Sequence, residues 1–259
     1  MSCDVSTTLS HLVEEVALAI TINGINHAVM MATPDDLDDF AVGFLFGEGV
    51  ITHNHDVHDI EITAGEEGWV MNVTVANRCL ATLNQRQRRL AGATGCGICG
   101  VTALEHALPA LPLLAGAEPL PLAMLAGLRE QVSAWQIKGQ QSGALHAALC
   151  LDEQGAIVAC REDIGRHNAL DKLIGMQLRA GQHCPTLLVT SRLGSELVQK
   201  AVRFGARHLI SLAAPSQLAV KMALAHHLNL VHIPRCDTPV HYARLAGPVL
   251  TGESYVHSH

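Results

Sequence analysis

The chain has 259 residues, enough for one large domain or two small ones around a sizeable core. Apolar residues make up 49% and charged residues 16%, the balance of a compact protein and not of a disordered one. The formal charge of −7 excludes a global basic field for nucleic acid, although protonation of the 16 histidines below roughly pH 6 would reverse the balance.

Residues 1–15 are polar and acidic, without the basic start and apolar run of a secretory signal. They are expected to form a flexible N-terminus. The longest stretch free of Asp, Glu, Lys and Arg, 16–34, contains Asn23, Asn26 and His27 and does not fit a membrane span. A cytoplasmic protein with no membrane or nucleic-acid partner is expected. Residues 16–22 and 25–31 are β-rich runs split by Asn23-Gly24, the strongest short hairpin signal. Thr33 as cap, Pro34 at the first position and Asp35-Asp36 behind it predict a helix start. Leu37, Phe40, Ala41, Phe44 and Leu45 carry its helical period, which Gly47 and Gly49 end. A second hairpin is predicted over 60–64 and 69–75, and a helix over 78–90. Residues 91–100 form a glycine-rich loop. Pro109, Pro112, Pro119 and Pro121 then mark a seam, followed by a helix over 122–136.

The second half alternates short apolar strands (144–151, 156–160, 186–190, 208–212, 230–233) with helices (167–178, 195–204, 217–226). That rhythm predicts an α/β fold with a mixed sheet covered by helices on both faces. The organisation is an N-terminal α+β portion rich in β-hairpins, 16–136, which holds the 91–100 loop, and a C-terminal α/β portion, 137–259. Both together are expected to make one domain.

The sharpest feature is Thr94-Gly95-Cys96-Gly97-Ile98-Cys99-Gly100. Two thiols at this spacing can share a metal, form a disulfide or pass sulfur between them. The flanking glycines remove side-chain cover and permit φ > 0, which suits accessible thiols and not buried ones. Several chemistries compete. A structural zinc site needs further ligands, and only His226, His227 and scattered cysteines offer them. A thioredoxin-like dithiol should follow a strand, and the preceding loop is a poor one. A zinc deaminase requires H-x-E before P-C-x-x-C, and neither the H-x-E nor the proline is present. The remaining chemistry is a nucleophilic cysteine carrying sulfur as a persulfide, favoured by thiolate character and exposure. Arg86, Arg88 and Arg89 would promote the thiolate, unless they only solvate a helix face. The eight cysteines are otherwise scattered, at 3, 79, 150, 160, 184 and 236. Thiols are therefore expected in preference to a disulfide framework, with Cys150, Cys160 and Cys184 buried as small hydrophobes.

Three predicted helix starts could bind anions. Glu162-Asp163-Ile164-Gly165-Arg166-His167-Asn168 places Arg166 and His167 beside free helix amides. Plain capping by Asp163 or Asn168 explains the same spacing. Ser191-Arg192-Leu193-Gly194-Ser195 is a second such turn and Pro215-Ser216 a third. Ligands gather at the carboxyl ends of parallel strands, so three turns at one end count for more than one. His146, alone in an apolar strand, reads equally as a core residue.

Taken together these pieces resemble the formate dehydrogenase accessory sulfurtransferases, the FdhD family. The resemblance rests on Gly43-Phe44-Leu45-Phe46-Gly47-Glu48-Gly49-Val50, the 94–100 loop, residues 142–148, 162–175 and 191–201, and the strand 230–233 with its following loop. It implies a sulfur carrier that accepts persulfide sulfur from a cysteine desulfurase. The sulfur passes to the bis-molybdopterin guanine dinucleotide form of the molybdenum cofactor, bound as a substrate and destined for formate dehydrogenase. It implies Cys96 as the persulfide carrier with Cys99 assisting, a cytidine-deaminase-like core, a homodimer and no permanent metal. The alternative is a non-catalytic cofactor-binding chaperone whose cysteine pair is structural or holds zinc. The implied cofactor site includes Ile233, Pro234, Arg235, Cys236, Asp237 and Thr238. With the helix starts, the candidates extend to His146, Asp163, Arg166, His167, Ser191 and Arg192. Two positions depart from the family's habit: Ala93 stands where many members carry Arg, and Ala144 where some carry a cysteine.

Overall fold

The computed structural model describes residues 12–80, 109–236 and 238–242. The 91–100 loop with Cys96 and Cys99, the arginines at 86–89, the N-terminal 11 residues and Asp237 lie outside the described residues. β1 (Val16–Ile22) and β2 (Ile25–Ala32) form the expected hairpin. Asn23 and Gly24 both take φ > 0, as a two-residue primed turn requires. α1 (Leu37–Gly47) follows, then β3 (Val57–Ala64) and β4 (Trp69–Val75). These strands make one sheet in the order β2-β1-β4-β3, with β1 and β4 parallel. Leu18, Ile20 and Ile22 alternate inward from β1 and Met71, Val73 and Val75 from β4, so the period of two buries a single face.

The start of α1 differs from expectation. Asp36, in a left-handed conformation, is the N-cap and gives no side-chain cap bond. Thr33 is buried and turned to another task. Its N–H donates to Asp163 Oδ2, its hydroxyl accepts from Ile164 N–H, and its carbonyl accepts from Lys172 Nζ. Sequence signals see only local capping, and here a contact 130 residues away wins.

The single helix expected over 122–136 is broken into α2 (Leu122–Leu125) and α3 (Leu128–Trp135), with Gly127 at φ 68° between them. A further helix, α4 (Ile137–Ser142), follows. Then come β5 (His146–Leu151), β6 (Ile157–Asp163), α5 (Arg166–Arg179), β7 (Thr186–Val189) and α6 (Ser195–Phe204). β8 (His208–Ser211), α7 (Gln217–Ala225), β9 (Asn229–His232) and an unforeseen β10 (Val240–Tyr242) complete the described chain. The second sheet runs β10-β9-β8-β7-β5-β6, parallel from β7 to β9 and antiparallel elsewhere.

Both faces of this sheet are covered. Ala148, Leu187, Val189 and Leu209 pack into one core with α1, α5, α6 and α7. Leu149, Leu188, Ile210 and Val231 pack into another with Leu125, Leu128 and Val132 of α2 and α3. Alternate residues of one strand thus enter different cores, which is why these strands read as continuous apolar runs. Cys150 and Cys184 are buried as expected, but they are joined in a disulfide with Cα atoms 5.8 Å apart. Cys184 precedes β7, which pairs with β5, so the fold brings the two thiols into range without any sequence signal. Among the described residues no helix is long and apolar enough to cross a membrane.

Candidate functional site

The exits of the parallel strands, with the antiparallel start of β5, form one edge of the sheet. β5 begins with His146, paired with Asp163 at the end of β6. The exit of β7 is stitched beside it: Thr190 N–H donates to the Ala147 carbonyl at 3.0 Å, and Ala147 N–H donates to Thr190 Oγ1 at 2.9 Å. Pairing continues past the strand ends, with Leu193 bridged to Pro215 and Ile233 N–H donating to the Ser211 carbonyl. The turns after β7 and β8 are therefore held in register and do not wander as free loops. Ser216 caps α7 by accepting from Ala219 N–H, and Gly165 and Gly194 are the N-caps of α5 and α6.

Here the structure gathers four of the expected residues, His146, Arg166, His167 and Arg192. His146 is pushed below the ordinary imidazole range by burial first, then by the Arg166 and Arg192 cations, with Asp163 opposing. His167 is lowered by burial, then by Arg166 and Lys200, while Glu196 opposes. Its Nε2 is buried without a hydrogen-bond partner among the described residues. Neutral imidazoles beside two guanidinium groups make an edge that attracts phosphate and gains charge if the pH falls. Arg192 is exposed, whereas Ser191 is buried and donates to the Arg192 carbonyl.

Asp163 is placed differently from a ligand contact. It is fully buried; Oδ1 accepts from Gly165 N–H and Asn168 Nδ2, and Oδ2 accepts from Thr33 N–H and pairs with Lys172 at 2.7 Å. With both oxygens engaged, it organises the turn that presents Arg166 and His167.

The 233–238 segment meets a second part of the edge. Ile233, Pro234, Arg235 and Thr238 line a cavity of about 310 Å3 with residues of α2 and α3. Cys236 is exposed. Arg129 of α3 donates from one terminal nitrogen to the carbonyls of Leu212 and Ile233, tying α3 to the exits of β8 and β9. It also lowers His232, after burial. Nothing local in the sequence marks Arg129, because its partners lie 83 and 104 residues away. Lys200 carries no local mark either, because its partner Asp171 lies 29 residues away.

The described free thiols make poor nucleophiles where their environment is resolved. Burial raises Cys160 to about 12, with Glu162 adding to it, and burial and then Asp56 raise Cys79. Cys160 lines a larger cavity of about 410 Å3 at the β6 edge, away from the strand exits.

The model of the FdhD/NarQ family matches residues 13–246. The chain belongs to the FdhD/NarQ family. It is 42% identical to the sulfur carrier protein FdhD of Cupriavidus necator over 234 residues, 89% of this chain and 81% of that protein. It is 41% identical to the Bordetella petrii protein of the same name over 233 residues, 89% of this chain and 84% of the relative. A crystal structure assigned as a formate dehydrogenase accessory protein, from Desulfotalea psychrophila, shares its fold with a TM-score of 0.66 at 25% identity. That likeness covers 90% of this chain and 88% of the other.

Proposed function

We propose that this chain is a sulfur carrier for the maturation of formate dehydrogenase. It takes persulfide sulfur from a cysteine desulfurase onto Cys96 and delivers it to bis-molybdopterin guanine dinucleotide, bound as a substrate. The observation that carries this reading is the family match over 13–246, which spans the glycine-flanked Cys96-x-x-Cys99 loop. The Cys96 thiolate attacks the outer sulfur of the donor's persulfide. The donor's S–S bond breaks, its cysteine leaves as thiolate, and a persulfide forms on Cys96. Cys99, three residues on, assists or relays that sulfur.

The cationic edge suits the cofactor's phosphates. Arg166 and Arg192, beside neutral His146 and His167, offer guanidinium groups that a phosphate accepts from bidentately. Arg235, on the loop after β9, offers another. Arg166 and Arg192 both act on His146, so two cations stand at this edge, which supports an anionic substrate there. The reading includes a homodimer, the cytoplasm and a deaminase-like origin for the six-stranded sheet.

The test is intact-mass analysis after incubation with a cysteine desulfurase and cysteine. The wild-type chain should gain one sulfur, Cys96→Ala none, and Cys99→Ala should still be loaded at position 96. Full formate dehydrogenase maturation by both variants would replace this reading with a cofactor-binding chaperone whose cysteine pair is structural.

A further inference from the structure

Every Lys and Arg of the chain lies after residue 77. Residues 1–77 carry 13 acids and no such base, whereas residues 78–259 carry 17 bases against 11 acids. The four-stranded sheet comes wholly from the first stretch, so it stands as an acidic block beside a basic remainder. Cations of the second stretch answer only part of this charge. Asp35 pairs with Lys138, Asp36 and Asp39 with Arg161, and Asp56 with Arg78. Glu14, Glu15, Asp59, Glu61, Glu66 and Glu67 are exposed, and among the described residues none of them makes an ion pair. Glu14-Glu15 precede β1 and Glu66-Glu67 precede β4. These strands run parallel with Leu18 opposite Trp69, so both acidic pairs stand at the same end of the sheet.

The outer face beside them is not the polar surface that a sheet usually turns to water. Leu18, Ile20 and Met71 point inward, so their neighbours Ala17, Ala19 and Val70 point outward. Val29 stands opposite Ala19, Ala19 opposite Val70, and Met31 opposite Ala17. Val29 is 66% exposed, Met31 49% and Val70 39%. Single exposed apolar residues are ordinary, but a contiguous set rimmed by charge marks a contact surface. The patch also abuts the candidate site, because the Met31 carbonyl accepts from Asn168 Nδ2 at 2.8 Å, beside Arg166 and His167.

The rim decides what the contact is with. A second copy would bring acid against acid, and nucleic acid or an anionic membrane is repelled in the same way. We propose that the outer face of the four-stranded sheet docks a protein partner that presents an apolar side chain within a ring of Lys and Arg. On the sulfur-carrier reading, that partner is the formate dehydrogenase apoprotein. A protein that takes an anionic dinucleotide from the neighbouring edge needs cations around its own entrance, and the acidic rim complements such a ring. The apolar side chain lies between Val29 and Val70 over the small Ala17 and Ala19, while the glutamates steer the basic ring into place. Four strands about 4.8 Å apart and about seven residues long give a face of roughly 400 Å2, which suits a brief encounter in which cargo changes hands.

The experiment measures association and dissociation of the full chain with formate dehydrogenase apoprotein across a salt series. Two variants are compared with the wild type. One reverses the rim (Glu14→Lys, Glu15→Lys, Glu66→Lys and Glu67→Lys), and the other makes the patch polar with little change of shape (Val29→Thr, Val70→Thr and Met31→Gln). All these side chains are exposed, so both variants should fold, as melting curves will show. The rim variant should associate about 10-fold more slowly and lose most of the salt dependence. The patch variant should dissociate about 10-fold faster with the salt dependence kept. Loading of Cys96 by a cysteine desulfurase should match the wild type in both. Wild-type kinetics in both variants overturn the proposal. So does a loss of Cys96 loading with dehydrogenase binding intact, which gives the face to the desulfurase, or a change confined to sedimentation of the chain alone, which gives it to a second copy. A wild-type chain that is loaded with sulfur yet binds no dehydrogenase also overturns it and leaves the carrier reading standing. Failure of the wild type to take sulfur at all defeats that reading instead, and the choice of dehydrogenase as partner with it.

Discussion

Asp163 and Lys172 form a salt bridge of 2.7 Å with neither side chain exposed to solvent. Thr33 joins them, giving its N–H to Asp163 and its carbonyl to Lys172, so the link between β2 and α1 is locked to the β6–α5 turn. This one network sets the position from which Arg166 and His167 project. Removing one partner leaves the other charged and buried, which costs far more than the intact pair contributes. Asp163→Asn should lower stability by about 3–5 kcal/mol and the melting temperature by roughly 10 °C. A melting curve that moves by less than a couple of degrees would show that the pair is not closed in solution.

Gly43 of α1 and Gly175 of α5 meet where the helices cross. A Cβ on Gly43 would lie 1.8 Å from the Asp171 carbonyl oxygen, and one on Gly175 the same distance from that of Asp39. These obstacles are backbone and cannot rotate away. Gly43→Ala and Gly175→Ala should each destabilise by about 3 kcal/mol or more, at or beyond the usual cost of overpacking. Urea denaturation measures this, and a wild-type midpoint for either variant would refute the close crossing.

Burial, reinforced by Arg207, holds His208 down to about 4 from an ordinary 6.5. The unfolded chain therefore binds a proton on this residue before the folded one does. Its contribution is fully present above pH 6.5 and lost as the pH falls towards 4, amounting to about 3 kcal/mol. His146, His167 and His232 are shifted the same way and add to the slope. Unfolding free energies between pH 7 and pH 4 should fall accordingly, and His208→Gln should flatten its share. An unchanged slope in that variant would place the acid sensitivity elsewhere.

Arg166 and Arg192 both bear on His146, and the substrate proposed above is a guanine dinucleotide that carries phosphates. Arg166→Ala and Arg192→Ala should each weaken cofactor binding and make it less sensitive to salt, because exposed charge pairs are screened within about 10 Å at 0.1 M. Binding by fluorescence across a salt series measures both effects. Wild-type affinity and slope in both variants would confine the phosphates to the Arg235 loop.

Most elements were legible in the sequence because their causes are local. The Asn23-Gly24 turn, the Ser195–Phe204 helix and the Ser216 cap each depend on neighbours within a few residues. Errors arose where distant contacts overrode local preference. Thr33 had every mark of a helix cap and serves Asp163 and Lys172 instead. Residues 122–136 read as one helix, yet Gly127 takes a positive φ and splits it. Cys150 and Cys184 read as separate buried thiols, 34 residues apart, until the pairing of β5 with β7 joined them.

For the site, the sequence by itself determined the chemistry available: a glycine-flanked thiol pair, helix starts bearing Arg and His, and the motifs of the family. Those are properties of residue type and short spacing, which the chain carries before it folds. Only the tertiary structure decided which of them meet. It gathered His146, Arg166, His167 and Arg192 at one edge and drew Asp163 inward as an organiser. It also brought Arg129 and Glu130 to the 233–238 loop, across about 100 residues of chain. Strand order in a sheet sets such meetings, and that order follows from burying two apolar faces at once rather than from any local signal.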